Sequence, residues 1–220
     1  MSLIDNSIIE KYPYIVIEGP IGCGKTTLSK KLGERYPVNL LLENAEANPF
    51  MTRFYQDVRR YALPTQLFFL FQRIEQIRDL TQRDMFNHAI IADFFLEKDQ
   101  LFAQLNLDDE EYALYRQMYQ HIKLQASKPD LVIYLQTPVD ALVDRIEQRN
   151  VSYEQEIPRE YITRLSDAYS EFFHQYDGAP VLIVNNEKLN VASNEKSLDL
   201  LINRIMQIRG RREFFNPNLE

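Results

Sequence analysis

The chain has 220 residues, with 25 Lys and Arg against 32 Asp and Glu, for a net charge of −7. Such an acidic balance excludes a dedicated nucleic-acid binder, which needs a basic face; an apolar fraction of 45%, with 13 Phe and 13 Tyr, excludes disorder as the main state. A single cysteine rules out a disulfide framework or cysteine-rich zinc site, and the scattered histidines His88, His121 and His174 have no ligand spacing. Met1 to Lys11 carries Asp5 and Glu10 and lacks the apolar run of a signal peptide. The longest apolar run, Leu67 to Phe71, is far too short to span a membrane. These features lead us to expect a single cytoplasmic domain over residues 1–220 that engages neither membrane nor nucleic acid.

Short runs rich in β-branched residues alternate with long helical patterns. The runs are Tyr14–Ile17, Leu40–Leu42, Ala89–Ala92, Leu131–Leu135 and Val181–Val184. Each reads as a strand buried on both faces, as in a parallel sheet. Between them, Thr26–Tyr36, Pro64–Asn87, Asp108–Gln125, Val139–Arg149, Arg159–Tyr176 and Glu195–Ile208 read as helices. The expected fold is α/β, a five-stranded parallel sheet with helices on both faces and right-handed crossovers. Ligands in such sheets lie beyond the carboxyl ends of the strands.

Directly after the first strand, Gly19-Pro20-Ile21-Gly22-Cys23-Gly24-Lys25-Thr26 matches G-x-x-x-x-G-K-[ST] without a gap. Glycines let the loop curl so that backbone N–H groups converge on phosphate oxygens, and the following helix adds its positive end. Lys25 is then placed for the β- and γ-phosphates and the Thr26 hydroxyl for a Mg²⁺ shell. The nucleotide-binding stretch is Gly19 through Thr27, with Cys23 as a small residue filling a tight loop. The motif fixes a nucleoside triphosphate, expected to be ATP, but not the acceptor. No N-K-x-D guanine signature follows, while Asn185 to Asn190 could curl around a purine through backbone groups.

Glu43 follows the second strand, where a carboxylate faces the ligand crevice and is a candidate general base. Gln66 and Arg73 stand seven residues apart, nearly two turns, so they share a helix face beside Phe69 and Leu70. An amide with donor and acceptor suits a nucleobase edge, and the aromatic groups suit its face.

With these blocks in order, the chain resembles the deoxynucleoside kinase family, particularly its bacterial deoxyadenosine/deoxyguanosine kinase branch, from about Tyr12 to Ile208. The resemblance implies a P-loop kinase fold, Glu43 as base toward the 5′-hydroxyl, and Asn48-Pro49 at the family's spacing, with Asn44 where the family has proline. It implies a sugar-binding Tyr55 eleven residues before the base-reading Gln66, with Arg73 completing the pattern. It implies a lid over about 145–157, with Arg145 and Arg149 closing on the transferring phosphoryl and Glu154 joining Tyr55 at the 3′-hydroxyl. A homodimer packed through Pro64–Asn87 and Asp108–Gln125 is also implied. One block departs: Asp93 keeps a carboxylate, suited to the Mg²⁺ shell or to orienting the hydroxyl, but Phe94 stands where the family has arginine. Asp99 is a candidate for a base-contacting aspartate. The alternatives are a thymidylate-type monophosphate kinase and a nucleotide-binding regulatory protein that has lost turnover.

Overall fold

In the computed structural model, the residues described are 7–83, 89–123, 127–187, 189 and 194–217. After a short helix α1 (Ser7–Lys11), β1 (Tyr14–Glu18) runs through the middle of the sheet. Its Ile15, Val16 and Ile17 are fully buried, each contributing roughly 1.5–3 kcal/mol through burial. On one side lie β3 (Ala89–Ala92) and then β2 (Val38–Leu41); on the other lie β4 (Leu131–Gln136) and β5 (Val181–Asn185). Val16 stands opposite Ala92 on one side and Val132 on the other, and every pairing is parallel.

Six strands are present among the described residues rather than the expected five, in the order β2-β3-β1-β4-β5-β6. The addition, β6 (Arg212–Phe215), pairs with β5 at the sheet edge. Its residues alternate between exposed and half-buried, so it lacks the continuous apolar run by which the inner strands are recognised. Arg211 and Arg212 anchor it by donating to the carbonyls of Asp177 and Tyr176, each at 2.6 Å.

The helices are α2 (Lys25–Arg35), α3 (Met51–Phe54), α4 (Val58–Arg83), α5 (Lys98–Asn106), α6 (Asp109–Lys123), α7 (Val139–Arg149), α8 (Arg159–Gln175) and α9 (Glu195–Met206). Proline opens helices readily because its nitrogen has no proton to donate, yet α4 begins upstream of Pro64 and contains it. Positions 84–87 and 124–125, expected to continue α4 and α6, lie outside the described residues. Leu70 and Ile74 of α4, Ala103 of α5 and Tyr115 and Tyr119 of α6 form a second apolar cluster with Leu96. No helix among the described residues is long and apolar enough to cross a membrane.

The strand ends position the site. Asp93 N donates to Leu41 O at 3.0 Å, carrying the β2–β3 ladder one residue beyond the strands. Glu18, Glu43 and Asp93, at or just past the ends of β1, β2 and β3, therefore meet over one crevice.

Candidate active site

The glycine-rich loop sits between β1 and α2. Gly22 has φ +84°, and a Cβ there would meet Leu142 O at 2.8 Å, so both backbone and space demand glycine. Gly24, at φ +93°, faces open space, so its conformation alone excludes a larger residue. The Lys25 ammonium donates to Gly19 O (2.7 Å) and Pro20 O (3.2 Å), lying along the loop. Burial opposes its charge, but the carboxylates around it, Glu18, Glu43 and Asp93, hold its pKa above the ordinary value. Cys23 is buried, and burial pushes its thiol up, leaving it an uncharged filler.

Asp93 is buried and joins the loop to the next strand end. Its Oδ2 accepts the Thr26 hydroxyl and its Oδ1 accepts Glu43 N at 2.6 Å. Among the described residues no three His, Cys, Asp or Glu side chains gather as a full metal shell. A hydroxyl with one carboxylate fits Mg²⁺, which takes most of its ligands from phosphates and water.

Glu43 begins a segment that α4 holds by its amides. Gln76 Nε2 donates to Leu42 O (3.0 Å), Gln72 Nε2 to Asn44 O (3.2 Å), and Asn48 Nδ2 to Thr65 O (3.1 Å). The Glu43 carboxylate is paired on both oxygens: Oε1 with Arg73, and Oε2 with Lys98 Nζ at 3.3 Å. Burial would push this carboxyl up, but Arg73, Lys98 and Lys25 outweigh it and hold the pKa at about 2. Each of its main partners has a second carboxylate. Arg73 also pairs with fully buried Asp99, and Lys98 with fully buried Glu18 at 3.2 Å.

A cavity of about 450 Å³ opens between these groups, and Tyr55, Gln66, Phe69, Phe102, Arg149 and Glu154 all face it. That volume suits a small organic ligand. Tyr55 packs edge-on against Phe54 and Tyr161, with ring centroids 4.9 and 5.9 Å apart. Burial first, then Tyr161, Glu154 and Tyr153, keep its phenol well above the ordinary range, so it stays a donor. The Arg73 guanidinium lies over Phe69 (5.1 Å) and Phe94 (5.9 Å). Phe94 is thus fully buried beside Arg73, behind the residues that line the cavity, and Asp99 meets Arg73.

The two arginines expected in a lid go different ways. Helix α7 ends at Asn150 in the left-handed region (φ 51°), and Arg149 folds into the cavity to pair with Glu154. Arg145 reaches the other side, donating to Asn186 O at 2.9 Å with Cys23 O and Glu187 O at 3.5 Å. Asn186 Nδ2 in turn donates to Cys23 O (2.6 Å) and Thr137 Oγ1 (3.0 Å). Arg145 and Asn186 therefore tie the glycine loop to the chain after β5; of Asn185–Asn190, residues 188 and 190 lie outside the described residues.

Sequence reasoning missed Lys98 and Glu18. A lysine just after Phe94-Phe95-Leu96 was the available signal, since a cation beside an apolar run is buried only with a partner. Its partners lie far along the chain and carry no local spacing.

A parallel sheet with a glycine-rich phosphate loop after its central strand, and a strand-end carboxylate sharing one small-molecule cavity with that loop, defines a P-loop phosphotransferase. The deoxynucleoside kinase family model matches residues 15–208, and the chain belongs to the deoxynucleoside kinase family. Similar proteins include a deoxyguanosine kinase of Bacillus subtilis (strain 168), 27% identical over 89% of this chain and 97% of its own length. A deoxyadenosine kinase of Dictyostelium discoideum is 30% identical over 78% of this chain and 71% of its own. Among solved structures, deoxyadenosine kinase from M. mycoides with bound dCTP superposes with a TM-score of 0.77 at 28% identity, covering 88% of this chain and 99% of that one.

Proposed function

We propose that this protein transfers the γ-phosphoryl of ATP to the 5′-hydroxyl of a deoxynucleoside, with purines favoured, in nucleotide salvage. The carrying observation is Glu43: an ionised carboxylate at the end of β2, in the same cavity as the glycine-rich loop. Residues 19–27 would hold the triphosphate, and Thr26 with Asp93 would hold Mg²⁺, which supplies charge neutralisation on the phosphates. The 5′-hydroxyl donates to Glu43. A carboxylate of such low basicity first orients that oxygen and takes the proton late, which suits a loose, metaphosphate-like transfer. Lys25 and Arg149 meet the charge on the phosphoryl oxygens. Tyr55 and Glu154 would bind the 3′-hydroxyl and crowd the 2′ position, while Gln66 and Arg73 would read the base edge, Arg73 held in place by Asp99.

The cations facing the cavity favour a nucleoside over a nucleotide acceptor. Arg73 and Lys98 each sit between two carboxylates, Arg149 is paired with Glu154, and Lys25 belongs to the donor loop. An acceptor phosphate would have to displace one of these carboxylates from its cation. The expected homodimer is supported by Phe71 of α4 and Leu114 of α6, 48% and 49% exposed on helices that pack together. A cytoplasmic location completes the reading.

The test is incubation with labelled ATP and Mg²⁺ against a panel of deoxynucleosides and their monophosphates. Formation of 5′-monophosphates, fastest from purines, is expected. Product from monophosphates only would overturn the reading.

A further inference from the structure

Lys98 is 3% exposed, yet it is the first residue of α5. A cation there opposes the positive end of the helix dipole. Its ammonium lies 3.2 Å from Glu18 Oε1 and 3.3 Å from Glu43 Oε2. Glu18 is immobilised in turn, its Oε2 accepting Gly19 N at 2.8 Å and the Tyr169 hydroxyl at 3.0 Å. Apolar packing in place of such a buried ionic cluster is often neutral or stabilising. The arrangement therefore points to a use other than stability.

We propose that Lys98 is a positioning residue for phosphoryl transfer: wedged between Glu18 and Glu43, it fixes the acceptor-side carboxylate against the stem of the phosphate loop and supplies the positive charge that an arginine at position 94 would bring. The inference rests on the kinase reading above. Glu18 directly precedes Gly19, so one ammonium links the base to the first residue of the donor loop. Phe94 is fully buried beside the Arg73 guanidinium and brings no charge of its own. Lys98 brings its charge from the first residue of α5 and faces the same cavity as Glu43.

The test compares wild type, Lys98→Met, Lys98→Arg and the double variant Glu18→Gln/Lys98→Met in steady-state kinetics with a deoxynucleoside and ATP. Lys98→Met leaves fully buried Glu18 without its cation and is at risk of unfolding; the double variant removes that charge and keeps the question answerable. Folded Lys98→Met and the double variant should lose about a hundredfold in kcat, as when one preorganised donor is removed. Their KM for the nucleoside should stay within about threefold, because positioning acts on the transition state rather than on uniform binding. Lys98→Arg should keep kcat within about tenfold of wild type, since the charge survives. In a further variant, Lys98→Ala, which leaves room for a small amine, methylammonium should partly and saturably restore kcat, a response that a packing role would not give. A double variant within about threefold of wild-type kcat, or one raised in KM alone, overturns the role of Lys98. Absence of product from the wild type itself overturns the kinase reading, and the role of Lys98 with it.

Discussion

Glu43 and Arg73 form an ion pair in which neither depends on the other alone: Arg73 keeps Asp99, and Glu43 keeps Lys98. Removing the charge of Glu43 therefore strands no cation, since Lys98 retains Glu18. Glu43→Gln is expected to fold and bind nucleoside while losing about two to four orders of magnitude in kcat, the range of a general base. Single-turnover transfer with binding calorimetry checks this. Full turnover in Glu43→Gln with a crippled Glu46→Gln would move the base to Glu46.

The donor side gives a simpler case. Among the described residues, Lys25 Nζ donates to carbonyls of its own loop, Gly19 O and Pro20 O, so its loss leaves the core intact. Lys25→Ala should keep its unfolding temperature within a few degrees and lose about a thousandfold in turnover, as expected for a charge on the transferring phosphates. Near-normal activity would remove the loop from the mechanism.

Legibility in the sequence followed how local each signal was. The glycine loop is contiguous, and β1, β4 and β5 are unbroken apolar runs because both their faces are covered, so all were readable. The expected Leu40–Leu42 strand is shifted to Val38–Leu41, since polar Asn39 interrupts the apolar run inside the strand while Leu42 continues it past the strand end. The edge strand Arg212–Phe215 and helix Lys98–Asn106 escaped for related reasons: one opens on the charged pair Arg212-Glu213 and has only two apolar residues, the other opens on a charge that only the tertiary fold explains. Gln66, Arg73 and Glu43 were found as points, but the pairing of Arg73 and Lys98 with two carboxylates each was not, because Lys98 and Glu43 stand 55 residues apart.

The proposed sugar selection rests on Tyr55. Its raised pKa keeps the phenol protonated as a donor across the working range. Tyr55→Phe should weaken deoxynucleoside binding by about 1–2 kcal/mol, roughly five- to thirtyfold. Wild type should prefer deoxyadenosine to adenosine, and equal turnover of the two would count against a crowded 2′ position.

The edge strand carries a pH dependence. Glu213 accepts Gly210 N at 2.6 Å and Arg209 N at 2.8 Å and pairs with Arg204, and these contacts hold its carboxyl below its ordinary 4.5. A carboxyl lowered by folding stabilises the native state above its unfolded value, and that contribution fades as pH falls through the folded one. The stability gap between wild type and Glu213→Gln should thus be full at neutral pH and shrink below about 4.5. Thermal unfolding of both proteins from neutral to acidic pH measures it; a gap constant with pH would mean that the carboxylate's charge plays no part.

The lid arginines separate two jobs that their shared helix face had merged. Arg149 lies in the cavity against Glu154, and a guanidinium there can turn from a carboxylate to a phosphoryl group of similar geometry when the donor arrives. Arg145 is spent on the carbonyls of Cys23, Asn186 and Glu187, and cannot reach the phosphoryl without giving up those bonds. Arg149→Ala is therefore expected to reduce kcat by about a hundredfold or more with little change in ATP affinity, the behaviour of a group acting in the transition state. Arg145→Ala should instead loosen the link between the glycine loop and the chain after β5, raising the KM for ATP several-fold with a smaller loss in kcat. Pre-steady-state transfer and ATP titration on both variants decide between them. Equal losses in kcat would mean that Arg145 swings into the cavity on closure, and indifference to both would leave the phosphoryl charge to Lys25 and the metal.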